Sequence, residues 1–135
     1  MTKIYLSGPV NSGDNPYDWH EQVQSAFPDM EWVNPFLLHD IPDKELRTRA
    51  HEIIEKDMST IEQCDAMLLR RIDKYNLCGA SMEAREAYLH DIPVFVWNQA
   101  DTEIPLFLHG HAEKTYPSME EAAEAAISAA ERRDV

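Results

Sequence analysis

Asp57 interrupts an apolar stripe. Between about Lys44 and Gln63, Leu46, Ala50, Ile53, Ile54, Met58 and Ile61 recur at helical spacing, and Asp57 falls on the same face. Burying an unpaired carboxylate costs on the order of several kcal/mol, so this one must find partners. It pairs with Arg49 or Arg71, takes the amides of a neighbouring loop, or receives the hydroxyls of a sugar. Glu83 is the second acidic candidate. It is read into the first turn of a helix opened by Gly79-Ala80-Ser81, where free amides and the positive end of the helix dipole hold a carboxylate ionised. That suits a nucleophile or base; the alternatives are a glutamate that only stabilises the helix start, and Glu86 as a decoy one turn on. Tyr5 projects from the first strand close to Ser7-Gly8-Pro9, whose sharp turn lets backbone approach a ligand.

Other chemistries find less support. Four glycines in the whole chain leave no spaced-glycine cradle for a pyrophosphate, and there is no nucleophile elbow for a Ser-His-Asp triad. Cys64 and Cys78 are too few for a disulfide framework and lack zinc spacing, so both read as plain thiols. His109-Gly110-His111 lacks a further ligand motif, and no metal is expected there. A formal charge of −13 repels a nucleic-acid backbone or an anionic membrane, which excludes both as partners. The same acidic, Lys-poor balance also fits a chain kept hydrated in strong salt. No run approaches the ~20 apolar residues of a spanning helix, and Met1-Thr2-Lys3 leads straight into a strand, so a cytosolic protein is expected.

The positioning elements follow from the pattern. Lys3 to Ser7 reads as a strand closed by Gly8-Pro9, and Asn15-Pro16 as the start of a helix carrying Trp19, Val23, Ala26 and Phe27. Glu31 to Val33 is a short strand, followed by a long loop to Asp43 and the helix from Lys44 to Gln63. Asp65 to Leu69 and Ile92 to Trp97 are apolar runs without alternation, as in strands covered on both faces. Between them lie a loop, Arg70 to Cys78, and a helix from Gly79 to about His90. An irregular stretch reaches His111, a short strand is expected at Ala112 to Thr115, and Ser118 with Glu121 forms a capping box for a last helix. Alternating strands and helices predict one α/β domain over residues 1–135: a parallel sheet of about five strands with helices on both faces. Its ligand crevice lies beyond the carboxyl ends of the strands, where strand order reverses.

Taken together, the motifs have a family likeness. Lys3-Ile4-Tyr5-Leu6-Ser7-Gly8-Pro9, Asp57 followed by Ile61 and Cys64-Asp65-Ala66-Met67-Leu68-Leu69, and Gly79-Ala80-Ser81-Met82-Glu83 leading to Asp91-Ile92-Pro93-Val94-Phe95 resemble the nucleoside 2-deoxyribosyltransferase family, in order. The resemblance implies a flavodoxin-like sheet, homodimers or larger assemblies whose subunits complete each other's sites, and no cofactor. It implies cleavage of the N-glycosidic bond of a 2′-deoxynucleoside, with transfer to another base or to water, or of a nucleotide in the hydrolase branch. By position, Glu83 corresponds to the nucleophile that forms a glycosyl ester, Asp57 to the carboxylate that orients nucleophile and sugar, and Tyr5 to the tyrosine beside the glutamate. Ser7, Gly8, Pro9, Asn11, Ser12, Gly79 and Ser81 are the expected substrate contacts.

One departure stands out. The family's Asp six residues before the nucleophile is Leu77 here, leaving Asn76, Arg71 or Asp73 to handle the base. In the first loop Asn11-Ser12-Gly13 offers a hydroxyl and amides for a 5′-phosphate, but Asp14 stands where the hydrolases carry positive charge. The alternatives to a nucleoside enzyme are a 2′-deoxynucleoside 5′-monophosphate N-glycosidase, a nucleotide-sensing module without turnover, and a regulatory domain in which Asp57 is only structural. Ile104, Leu106, Phe107 and Leu108 make the 100–111 segment too apolar for a free loop, which predicts self-association.

Overall fold

The structure is a computed structural model that describes residues 2–11, 13–72 and 77–133. Its strands are β1 (Lys3–Ser7), β2 (Glu31–Val33), β3 (Ala66–Arg71), β4 (Val94–Asn98) and β5 (Lys114–Tyr116). Its helices are α1 (Asp18–Ala26), α2 (Ala50–Glu62), α3 (Cys78–Leu89), α4 (Leu106–His111) and α5 (Met119–Arg133). All strand pairs are parallel, in the order β2-β1-β3-β4-β5, which is the flavodoxin-like α/β arrangement expected. Strand order reverses between β1 and β3, so the crevice opens where β1 runs out at Ser7.

Two apolar clusters cover the sheet. On one face Ile4, Leu6, Ala66, Leu68, Phe95 and Trp97 meet Trp19 and Val23 of α1 and a row of alanines on α5. Ala122, Ala126 and Ala130 are fully buried, and their small side chains let the α5 backbone lie close to the strands. On the other face Tyr5, Met67, Leu69, Val94 and Val96 meet Ile61 of α2, Ala80, Ala84 and Ala87 of α3 and Leu108 of α4. The two-residue period of β1 thus sends Ile4 and Leu6 one way and Tyr5 the other.

Several boundaries differ from expectation, each for a local reason. The helix expected from Lys44 begins at Ala50, because the chain first makes a 3-10 turn at Asp43–Glu45 and a further turn to Arg49. Arg49 ties that turn together by donating to Glu45 and Glu52. The stripe along α2 is only partly core: Ile61 is its one buried residue, and Ile54 is 53% exposed. α1 starts at Asp18 rather than after Asn15-Pro16, and the Asn15 amide donates to the Glu21 carboxylate instead of capping the helix. β3 runs on through Arg70 and Arg71, which pair with Trp97 and Asn98 of β4. The stretch read as irregular holds α4, and β5 lies at Lys114–Tyr116 rather than Ala112 to Thr115. For the final helix, the Ser118 hydroxyl accepts from the Glu121 amide at 3.2 Å, as the capping motif predicts.

Candidate active site

The same alternation that buries Tyr5 puts Ser7, two residues on, on its side of the sheet, facing α3. Both hydroxyls close on Glu83. The Tyr5 phenol donates to Glu83 Oε2 and the Ser7 hydroxyl donates to Glu83 Oε1 at 2.7 Å, so each carboxylate oxygen has its own donor. This corrects the expected support for Glu83. The residue sits in the second turn of α3, whose first turn has no acidic side chain, and side-chain hydroxyls rather than helix-start amides hold it. The ionisation differs too. Burial pushes Glu83 up to about 6, and the charge of Asp57 adds to this, while the bonds from Tyr5 and Ser7 pull the other way. Burial and the adjacent Glu83 in turn keep the Tyr5 phenol protonated far above the usual tyrosine range.

Asp57 lies on the same cavity, a hollow of about 680 Å³ that also has Gly8, Pro9, Gly79 and Glu83 in its wall. That volume suits a small organic ligand. Leu46, Ile53, Ile54 and Met58 line it as well, so much of the apolar stripe on α2 faces a hollow rather than packed core. The Asp57 partner is neither Arg49 nor Arg71. His39, in the segment after β2, brings Nε2 to 2.8 Å from Asp57 Oδ1, with 15% and 16% of the two side chains exposed. Burial raises Asp57 above the usual carboxylate range, and the His39 hydrogen bond and charge oppose that rise.

The first loop is fixed by its neighbours. Gly8 has φ +130°, and a Cβ there would stand 2.6 Å from the Arg70 carbonyl oxygen, so only glycine fits against β3. The Trp19 indole donates to the Pro9 carbonyl at 3.0 Å, and Arg70 Nη1 donates to Asn11 Oδ1 at 2.6 Å. The Arg70 guanidinium caps the Trp19–Trp97 ring pair, 5.6 and 5.4 Å from their centroids.

Other expected contacts fall elsewhere. Arg71 turns toward the β4 end, donating to the Thr102 carbonyl at 2.8 Å and to Asn98, because its strand position aims it at those acceptors. Ser81 lies in a separate depression with Met82, Phe107, Leu108 and His111, since one residue along a helix rotates it away from the wall that holds Ala80. Ser12, Asp73 and Asn76 lie outside the described residues. Glu86 meets His90 at 2.9 Å rather than the Tyr5 and Ser7 hydroxyls. His111 Nδ1 meets the Phe107 carbonyl at 2.6 Å on α4. Cys64 is buried, its thiol pushed up to about 12 mainly by burial. The cavity residues absent from the sequence reading include Tyr17, Phe36, His39 and Ile41; a histidine in a Pro- and Asp-rich stretch has no periodicity to single it out.

No protein-family model matches the chain, and no curated protein matches it. Solved structures do. A 2-deoxyribosyltransferase from Bacillus psychrosaccharolyticus superposes with a TM-score of 0.69 at 18% identity, over 90% of each chain. A 2-desoxiribosyltransferase from Leishmania mexicana gives a TM-score of 0.72 at 20% identity, covering 95% of this chain and 98% of that one. The CMP N-glycosidase BcmB of Clostridium botulinum gives 0.57 at 12%, covering 92% and 97%. These likenesses establish that the chain has the fold these enzymes share over nearly its whole length.

Proposed function

We propose that the protein cleaves the N-glycosidic bond of a 2′-deoxynucleoside by retaining displacement, with Glu83 as nucleophile. The observation that carries this reading is the clamp: a carboxylate held by Tyr5 and Ser7 in the wall of a small-molecule cavity that also contains Asp57. The named activities of the three solved structures support it. A Glu83 oxygen attacks the anomeric carbon as the bond to the base breaks, and the base departs with the bonding pair. The resulting ester is opened by water or by a second base, so two inversions give net retention. Asp57 lies near enough to influence Glu83 and is the side chain suited to hold sugar hydroxyls. The displacement uses side chains and substrate alone, with no cofactor.

The test is a panel of deoxynucleosides and deoxynucleotides, following free base for wild type and Glu83→Ala. The variant loses at least about a thousandfold in rate, ~4 kcal/mol in the barrier. Intact mass of the wild type trapped during turnover gains one deoxyribosyl group, and the variant gains none. An equally active variant removes Glu83 from the mechanism. Base release by neither protein, with tight binding by calorimetry, supports a sensing module instead.

The 5′-monophosphate reading has its own observation: Arg70 brings a guanidinium to Asn11 in the first loop. A higher kcat/KM for the monophosphate than for its nucleoside selects it. Self-association is part of the proposal as well, with a second copy covering α4, where Leu106 and Phe107 are 78% and 81% exposed. Sedimentation equilibrium reads this directly, and a monomer at micromolar concentration rejects it.

A further inference from the structure

Resting on the glycosidic reading above, we infer that His39 protonates the base as it leaves. Of the residues nominated from sequence for that task, Arg71 is engaged with the Thr102 carbonyl, and Asp73 and Asn76 lie outside the described residues; Leu77, at the position of the family's Asp, carries no proton. His39 lies in the wall of the cavity that holds Glu83. The two reach it from different parts of the fold, His39 from the segment that follows β2 and Glu83 from the helix that follows β3, with β1 between those strands in the sheet. A pentose seated over the end of β1 therefore has the nucleophile toward one wall and the imidazole toward the other.

The pairing with Asp57 gives the ring its orientation. Nε2 is taken by Asp57 Oδ1 at 2.8 Å, leaving Nδ1 as the nitrogen for a ligand. Both side chains are largely withdrawn from bulk water, at 15% and 16% exposure. The other proton-carrying side chains of the cavity wall are Tyr17, Asp43, Asp57 and Glu83, and imidazole is the one with two separate ring nitrogens, so it can keep Asp57 on one and exchange a proton with the base at the other. In the first step the C1′–N pair stays with the base, a Glu83 oxygen bonds C1′, and His39, entering as the imidazolium with its Nε2–H on Asp57, passes the Nδ1 proton to the ring nitrogen or exocyclic oxygen of the base and is left as the neutral ring. In the second step water gives hydroxide to C1′ and a proton to Nδ1, freeing Glu83. Transfer differs only in that an incoming base supplies the N–H.

The experiment compares wild type, His39→Ala and His39→Gln on two substrates: a natural deoxynucleoside or its monophosphate, and a nitrophenyl 2-deoxyribofuranoside whose leaving group needs no proton. On the natural substrate both variants fall at least about a hundredfold in kcat. On the nitrophenyl glycoside they stay within a few-fold of wild type. The glutamine keeps a donor for Asp57 without transferring a proton, so it separates proton transfer from support of the fold. Equal losses on the two substrates, or natural-substrate activity restored by glutamine, overturn the assignment while leaving the Glu83 reaction intact. A wild type that turns over neither substrate and forms no deoxyribosyl adduct overturns the glycosidic reading, and the role of His39 with it.

Discussion

The two faces of the sheet are built from the same five strands but respond to water in opposite ways. Beneath α1 and α5, Ile4, Leu6, Trp19, Trp97 and the α5 alanines form continuous apolar packing. Beneath α2 and α3, the intervening β1 residues Tyr5 and Ser7 reach a glutamate at the wall of a hollow. The titratable exceptions on the two sides also lean in opposite directions. His20 of α1 is buried among Tyr17, Trp19 and Phe36, and neither ring nitrogen has a partner among the described residues. Burial, with the charge of Arg70, lowers it to about 4, whereas burial raises Glu83 to about 6. One face thus resists acid protonation and the other resists ionisation.

Substitutions on each side test that opposition, and the largest effect belongs to His20. Its folded value lies below the ordinary 6.5, so its contribution is full above pH 6.5 and is lost as pH falls through about 4. Wild type therefore loses roughly 2 to 3 kcal/mol from this residue between pH 7 and pH 4. Urea denaturation of His20→Phe shows a correspondingly smaller drop over that range; parallel decline of the two proteins would break the contrast.

Glu83→Gln probes the other side. The folded value of Glu83 lies above the ordinary 4.5, so its contribution is full below pH 4.5 and is lost as pH rises through about 6. The variant matches wild type near pH 4 and is more stable by ~2 kcal/mol at pH 8. A variant no more stable at pH 8 would mean that the ionised carboxylate is fully accommodated.

The smallest change is Tyr5→Phe. It removes a donor that favours the ionised glutamate, so Glu83 rises above 6 and the acidic limb of kcat/KM moves up by about one unit, ~1.4 kcal/mol. An unmoved limb would assign the support of the ionised form to Ser7 alone.

What could be read from the chain was what periodicity records. The two-residue alternation of β1 and the unbroken apolar runs of β3 and β4 yield the parallel sheet, and the placement of Asp57 among isoleucines marks it as unusual. Properties set by tertiary neighbours were not legible. Its helix position reads Glu83 as ionised, but the depth of its burial raises it, with the charge of Asp57 adding to that rise. Arg71 seemed free to meet a base because nothing local shows the Thr102 carbonyl opposite it. α4 escaped because Leu106 and Phe107 face outward beside the buried Leu108, so no single stripe forms. His39 lies where the backbone follows no repeat, and only the folded proximity of α2 gives it Asp57.

The cavity has walls of unequal cost. Glu83 hangs on hydroxyls of a central strand whose residues from Ile4 to Ser7 are entirely enclosed, so disturbing that wall disturbs folding itself. The wall around Phe36, His39, Ile41 and Leu46 is assembled from short turns outside the sheet, with Phe36 and Leu46 substantially open to solvent. Exchanges at those two exposed positions carry little penalty for folding, so the lining of the hollow can be reshaped while Glu83 and its two hydroxyl donors stay in place.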